Sequence, residues 1–377
     1  MIILAIETSC DETALCLLEA KNGSFNILSN LVSSQTNIHR KYGGIVPEVA
    51  ARKHLEIIIP LIEKSLKNLP KNLKIDYLAV TNGPGLITSL LVGVETAKTL
   101  SYVWQKPLIA VNHLEGHIYA NWLTDRGDGK PRDGVILFAH PRDCFVASAE
   151  APRNDKEKVI TPRNDKNVKF PALCLVVSGG HTELVLMKNH LKYQKIGQTL
   201  DDAAGECFDK VAKLLNIGYP GGPIISKLAE SGNPYKYNLP RPMSKTKNYN
   251  FSFSGLKTAA LYQSRKIKSK PKNFLEDFCA SFQQAVVDVL IEKTIRAAKE
   301  YKVKSIILGG GVVANKKLRE DLKKQTAINL PEVNLFIPEL KFCTDNAAMI
   351  GAAAYFHIAK KDFSDWQKIK TDPNLEL

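Results

Sequence analysis

His113 and His117 stand four residues apart in NHLEGHIYANWL. On a helix, that spacing sends both rings from one face, as a divalent transition metal requires. Asp345, in CTDNAAMIGAAA at the start of another helical stretch, offers a third ligand. Two imidazoles and a carboxylate would leave coordination positions open for oxygen ligands, a set that suits Fe(II) or Zn. The same HLEGH invites a metalloprotease reading. That chemistry wants H-E-x-x-H, however, and here Glu115 lies two residues after the first histidine. At about 100° per residue it points to the far side of the helix, away from any metal-bound water.

Small-polar turns provide the other chemistry. ETSCDET at 7 to 13 and SGGHT at 178 to 182 each follow an apolar run. Turns of this kind cradle phosphates through backbone N–H groups, and Gly179 and Gly180 let a ligand come close. SIILGGGVVAN enters three glycines, Gly309 to Gly311, before a helix opening at Asn315, and should pass beneath a flat ligand or its ribose. NGPG at 82 to 85 and YPGGP at 219 to 223 read equally well as plain turns.

The elements that must position these residues occur twice. Apolar runs at 2 to 8, 14 to 20 and 25 to 34 predict an antiparallel meander. A helix over about 47 to 66, a strand at 76 to 82, a helix over 88 to 104, a strand at 108 to 112 and the helix of HLEGH follow. The order β-β-β-α-β-α-β-α returns with strands at 172 to 180, 182 to 188 and 191 to 200, then a helix at 202 to 215. An irregular basic segment to about 272 interrupts it. A helix over 274 to 301, a strand at 305 to 311, a helix at 315 to 325, a strand at 334 to 338 and a helix at 345 to 358 complete the second copy.

This duplication is the architecture of the actin, sugar-kinase and heat-shock ATPase group: two ribonuclease-H-like α/β lobes about a central cleft, in which equivalent helix starts, and so His113, His117 and Asp345, converge. The expected division is a first lobe at 1–124, an insertion at 125–169, a second lobe at 170–344 with a basic insert over about 220–272, and a C-terminal helix and tail at 345–377 closing the cleft. The insertion nearly repeats APRNDK as TPRNDK and reads as a disordered, exposed loop without functional weight.

Composition narrows the setting. No apolar run reaches the roughly 18 to 20 residues that cross a bilayer. The opening MIILAIETSCDET has no basic leader and reads as a buried first strand, so the mature chain is expected to begin at Met1. The 7 cysteines form no C-x-x-C pair and mostly sit in apolar runs, as reduced cytoplasmic thiols do; Cys10 alone lies in a motif loop. A formal charge of +14 favours a polyanionic partner. Lys236, Arg241, Lys245, Lys247, Arg265, Lys266, Lys268, Lys270 and Lys272, interleaved with Tyr235, Tyr237, Tyr249 and Phe251, suggest RNA contacts and stacking.

NHLEGH, VSGGHTEL, DDAAGECFDK, YPGGP, FSFSGLKTA, GGGVVAN and TDNAAMIGAAA together resemble the TsaD family of tRNA threonylcarbamoyladenosine transferases, once labelled glycoproteases, over roughly 1 to 124 and 170 to 358. The resemblance implies transfer of a threonylcarbamoyl group from threonylcarbamoyl-AMP to N6 of adenosine 37 in tRNAs that read codons beginning with A, with release of AMP. It also implies a metal, usually iron, on His113, His117 and Asp345, and ligand contacts from Val176, Val177, Ser178, Gly179, Gly180, Asp209, Gly222 and Asn315. Asp209 enters only through the resemblance, since an aspartate before Lys210 on a helix ordinarily makes a surface pair. Asp11 or Glu12 is a candidate to take the amine proton, although acidic residues in such turns also serve as caps. The implied partners are a TsaB-like inactive paralogue and a TsaE-like P-loop ATPase. A metalloprotease and a non-catalytic nucleotide-binding scaffold stay open as alternatives.

Overall fold

The computed structural model describes residues 1–123, 136–137, 168–267, 269 and 271–377. The first meander is β1 (Ile2–Glu7), β2 (Glu12–Lys21) and β3 (Ser24–Ser34). It is followed by α1 (Thr36–His39), α2 (Pro47–Lys67), β4 (Tyr77–Gly83), α3 (Ile87–Trp104), β5 (Leu108–Asn112) and α4 (His113–Tyr119). After β6 (Ile136–Leu137), the second copy runs β7 (Ala172–Val177), β8 (Thr182–Asn189), β9 (Lys192–Gln198), α5 (Ala204–Leu214), α6 (Gly221–Ala229), α7 (Ser254–Lys266), α8 (Phe274–Glu300), β10 (Ser305–Gly309), α9 (Lys316–Asn329), β11 (Asn334–Phe336) and α10 (Ala347–Ala359).

The two sheets repeat one topology. The first is ordered β5-β4-β1-β2-β3-β6 and the second β11-β10-β7-β8-β9. In each, the meander is antiparallel and the later strands join parallel to the first, β1 to β4 to β5 and β7 to β10 to β11. These are the duplicated ribonuclease-H-like lobes expected from the sequence. Most of the expected insertion lies outside the described residues, as do Cys144, Lys268 and Lys270; Ile136–Leu137 adds a short parallel strand beside β3.

Alternation along the strands builds five layers. Ile2, Leu4 and Ile6 face α2 and α3 on one side of the first sheet, whereas Ile3 and Ala5 face the middle. Leu173, Leu175 and Val177 face α5 and α8 on the outer side of the second sheet, and Cys174 and Val176 face inward. Between the sheets lie α4 and α10, which share one core with both inner faces. Although α10 is made last, it packs on β1 and β2 of the first sheet, while α4 touches β7 and β10 of the second. The tail then crosses the ends of β4 and β5: Ser364 pairs with Leu108, the Asp372 amide donates to the Asn82 carbonyl at 2.8 Å, and Asn112 Nδ2 donates to the Leu375 carbonyl at 3.3 Å.

The segment read as irregular carries two helices, α6 and α7. α6 opens on Gly221-Gly222-Pro223, a turn signature in sequence, yet Asp209 supplies the missing start signal by accepting from the Gly221 amide at 2.6 Å. The aromatic half of the RNA reading also changes. Tyr249 and Phe251 are core residues, Tyr237 packs against Phe274 and Phe278, and only Tyr235 stands free, at 79% exposure. This strand of chain is pinned to α8, where buried Lys293 donates to Thr246 Oγ1 and the Asn248 carbonyl, each at 3.1 Å.

Candidate metal centre

Asn112 ends β5 and caps α4, its Oδ1 accepting from the Leu114 amide at 2.8 Å. This cap starts the helix one residue before Leu114, so His113 and His117 share a face and look toward the opening of α10. There Asn346 caps α10 by accepting from the Met349 amide at 3.1 Å, which leaves Asp345 just ahead of the helix. Asp345 Oδ1 lies 3.5 Å from His113 Nε2 and 3.2 Å from His117 Nε2. One ligand atom from each of the three falls within 4.8 Å of the others.

The donor set fits a metal on this geometry. His117 is wholly buried; its Nδ1 has no hydrogen-bond partner, and its Nε2 meets only Asp345 Oδ1, in a poorly directed contact at 3.2 Å. A buried polar atom left so is costly unless something else satisfies it, and a cation at Nε2 would. His113 is oriented from behind: its Nδ1 lies 3.1 Å from Glu7 Oε2 and 3.1 Å from Ser9 Oγ. Glu7 in turn accepts from Thr81 Oγ1 and from the Ser9 amide, each at 2.5 Å. A carboxylate behind a ligating imidazole fixes its tautomer and turns Nε2 to the metal.

Charge follows the same lines. Burial works against the His113 imidazolium, but Asp345 and Glu7 outweigh it and push it up to about 9. Burial would raise Asp345, yet His113 and His117 hold its carboxyl down at about 2. The third histidine of the neighbourhood, His181, is driven the other way, to about 4, by burial and by the charge of His113 and His117.

Glu7 and His181 carry no assignment in the sequence reading. A lone carboxylate ending the apolar run IILAIE was the available signal for Glu7, since a charge there must be paired if the strand is buried. His181 sits in SGGHT itself, its amide donating to Ser178 Oγ at 3.1 Å and its carbonyl accepting from the Ser178 amide at 2.8 Å.

The other named residues distribute as follows. Val176 and Val177 are wholly buried, so only their backbone can face a ligand. Gly179, Gly180, Gly222 and Gly311 have open space where a Cβ would stand. The other two glycines of GGG serve packing instead. A Cβ on Gly309 would lie 2.7 Å from the His117 carbonyl oxygen, and Gly310, at φ 96°, is pressed against Val177. NGPG is covered by the tail, Gly83 lying against Asp372 and Leu375.

Asn315 caps α9 and donates to Ser226 Oγ and Gln283 Oε1, each at 2.8 Å. Asp209 is no surface partner of Lys210, which binds Asp202 and Glu206 instead. Asp11 is buried in the first turn. Glu12 beside it accepts from Ser34 Oγ at 3.0 Å, and burial, then the charges of Asp11 and Asp345, push its carboxyl well above the usual range. Burial likewise pushes the Cys10 thiol well up, so it is not a reactive thiolate. Glu115 points away from the triad, to Tyr193 and His357, and so lacks the place a zinc-protease base needs.

Duplicated ribonuclease-H-like lobes with a two-histidine, one-aspartate cluster between them define an actin-like fold with a candidate metal site in its cleft. HypF from T. kodakarensis shares the fold, with a TM-score of 0.58 at 13% identity; the match covers 98% of this chain and 49%, about half, of that protein. The model of the TsaD family, tRNA N6-adenosine threonylcarbamoyltransferase, matches residues 26–160 and 157–352. The tRNA N6-adenosine threonylcarbamoyltransferase of Syntrophomonas wolfei is 45% identical over 364 residues, 96% of this chain and 94% of the relative. That of Bacillus subtilis is 45% identical over 379 residues, 100% and 96% of the two chains. The chain belongs to the TsaD family, acyltransferases acting on tRNA.

Proposed function

We propose that this chain transfers the threonylcarbamoyl group of threonylcarbamoyl-AMP to N6 of adenosine 37 in tRNAs reading codons that begin with A, and releases AMP. The observation that carries the reading is the triad of His113, His117 and Asp345 lying between lobes whose second turn, Ser178 to Gly180, is open. His113, His117 and Asp345 would hold one divalent ion, Fe(II) first and Zn as the alternative. When bound, such an ion would supply Lewis-acid polarisation of a donor oxygen.

The chain's own residues do the rest. Backbone groups from Val176 to Gly180, with Asp209, Gly222 and Asn315, hold the adenylate; the open glycines admit its phosphate and ribose without a Cβ in the way. The N6 amine attacks the carbonyl carbon, the bond to the phosphate oxygen breaks, and AMP departs with that electron pair. A poor nucleophile meeting a good leaving group needs position and charge stabilisation more than covalent help. The amine proton passes to Asp11 or Glu12. Burial, then the charges of Asp11 and Asp345, raise the Glu12 carboxyl well above the usual range, the direction that strengthens a carboxylate as a base.

Exposed Lys236, Lys245, Lys247, Arg265, Lys266 and Lys272 supply positive surface for tRNA, whereas Arg241 is spent on Asp288 at 2.8 Å. A TsaB-like paralogue is assigned to the first lobe. There α2 keeps its own core contacts through Ile58, Leu61 and Ile62 but leaves Leu55 and Ile59 exposed, and α3 leaves Leu91 and Val103 exposed. A TsaE-like ATPase completes the partner set. No described helix is long and apolar enough to cross a membrane, and a cytoplasmic location is part of this proposal.

The test is reconstitution: the protein with tRNA, threonine, bicarbonate, ATP, an adenylate-forming enzyme and its partners. Modified adenosine is expected, and Asp345→Ala should reduce it to background. Undiminished product from that variant would remove the triad from the reaction.

A further inference from the structure

Glu115 has no part in the reaction just described, yet it is only 3% exposed and both of its carboxylate oxygens are held. Tyr193 of β9 donates its hydroxyl to Oε1 at 2.6 Å, and His357, in the last turn of α10, places Nε2 2.7 Å from Oε2. Asp362 closes the row, its Oδ2 2.8 Å from His357 Nδ1. One carboxylate thus joins the helix that carries both histidine ligands, the helix that follows Asp345, and a strand of the second sheet.

We infer that Glu115, paired with His357, is a positioning residue for the metal triad: it sets the rotation of α4 against α10. α4 has only 7 residues, too few for a helix to hold its own orientation, so contacts on its faces must do so. On one side Gly116 lies so close to α10 that a Cβ would stand 2.7 Å from Ile350 Cδ1. That contact limits the distance between the helices and leaves α4 free to roll. Glu115 lies about 160 to 200° around the helix from both histidines, so its bonds to His357 and Tyr193 oppose any roll. A roll of roughly 10° moves a side-chain atom some 6 Å from the axis by about 1 Å, whereas metal–ligand distances tolerate only about 0.2 Å.

The inference rests on the triad's being a metal site, and cobalt(II) separates the two claims. The full chain is titrated with Co(II) and its visible d–d bands recorded, well below the melting temperature of each variant. The unaltered protein should bind one ion. Glu115→Ala should shift the bands and weaken binding roughly tenfold or more, the lower range for losing a support of a metal ligand. His357→Gln, whose amide can still donate to Glu115, should keep most of the native spectrum, and His357→Ala should not. Should Glu115→Ala fail to fold, His357→Ala decides; should that also fail, Tyr193→Phe, which removes one hydrogen bond, is read in the same way. A folded variant among these three with the native bands and affinity overturns the positioning role alone. An unaltered chain that binds no cobalt overturns the metal reading beneath it.

Discussion

The turn after β1 and the turn after β7 occupy the same place in the two copies of the fold, and they have opposite chemistry. The first is crowded with carboxylates: Glu7 behind His113, buried Asp11, and Glu12 on Ser34. The second holds Ser178, Gly179 and Gly180, with open space at both glycines and a neutral His181. A phosphate would be repelled by the first and received by the second. Duplication therefore supplied two equivalent turns, of which one orients His113 and the other leaves open space at its glycines. The sequence suggests a phosphate cradle at both; the structure lines the first with carboxylates and leaves the second open at its glycines.

The strongest way to break this contrast is to make the second turn resemble the first. Gly180→Asp places a carboxylate where there is room for it, so the fold should survive. Against a phosphate at about 4 Å, it costs roughly 1 to 4 kcal/mol between water-like and surface dielectrics, or about fivefold to nearly a thousandfold. Calorimetry should show AMP binding reduced within that range while metal affinity is unchanged. Retained AMP affinity would place the nucleotide elsewhere.

A smaller effect is expected from the reverse operation. Glu7→Gln removes the charge behind His113 and should lower metal affinity roughly 10- to 100-fold, with AMP affinity of the metal-free protein unaltered. An equal loss of both would mean that the turns are not divided as described.

Smallest are two effects of pH on the metal-free protein, opposite in sign. His113 titrates near 9, above its unfolded value of about 6.5. Its contribution to stability is thus fully present below pH 6.5 and lost as pH rises through 9. His181 titrates near 4, below that value. The unfolded chain then takes up the proton first, and stability falls as pH drops from 6.5 through 4. Denaturant melts should find the acid slope flattened in His181→Gln and the alkaline slope flattened in His113→Gln. Identical slopes in all three proteins would contradict both assignments.

The repeated order of elements was legible because strand alternation and helix spacing are local patterns, and they persist through both copies. His113, His117 and Asp345 were legible for the same reason, once the repeat placed equivalent helix starts together. What stayed hidden depended on contacts distant in sequence. The start of α6 looks like a turn until Asp209, 12 residues earlier, caps it. Tyr249 and Phe251 look like stacking platforms until their burial under α8 is seen. Glu7 is an unremarked strand end until His113, 106 residues away, arrives beside it. Two of the three glycines in GGG answer to His117 and Val177 rather than to a ligand, a packing demand that no spacing reveals.

The placement of α10 has a consequence for how the chain matures. Gly351 lies against Leu18 and Ala5, and Tyr355 reaches back to the Gly23 amide at 3.0 Å and to the ring of Phe25. The inner face of the first sheet, made first on the ribosome, thus waits uncovered until some of the last residues emerge. Covering that face therefore requires contacts of very long sequence separation, between the first strands and the last helix. Asp345, the carboxylate of the candidate metal cluster, arrives with the same helix, so an unfinished chain lacks the complete cluster.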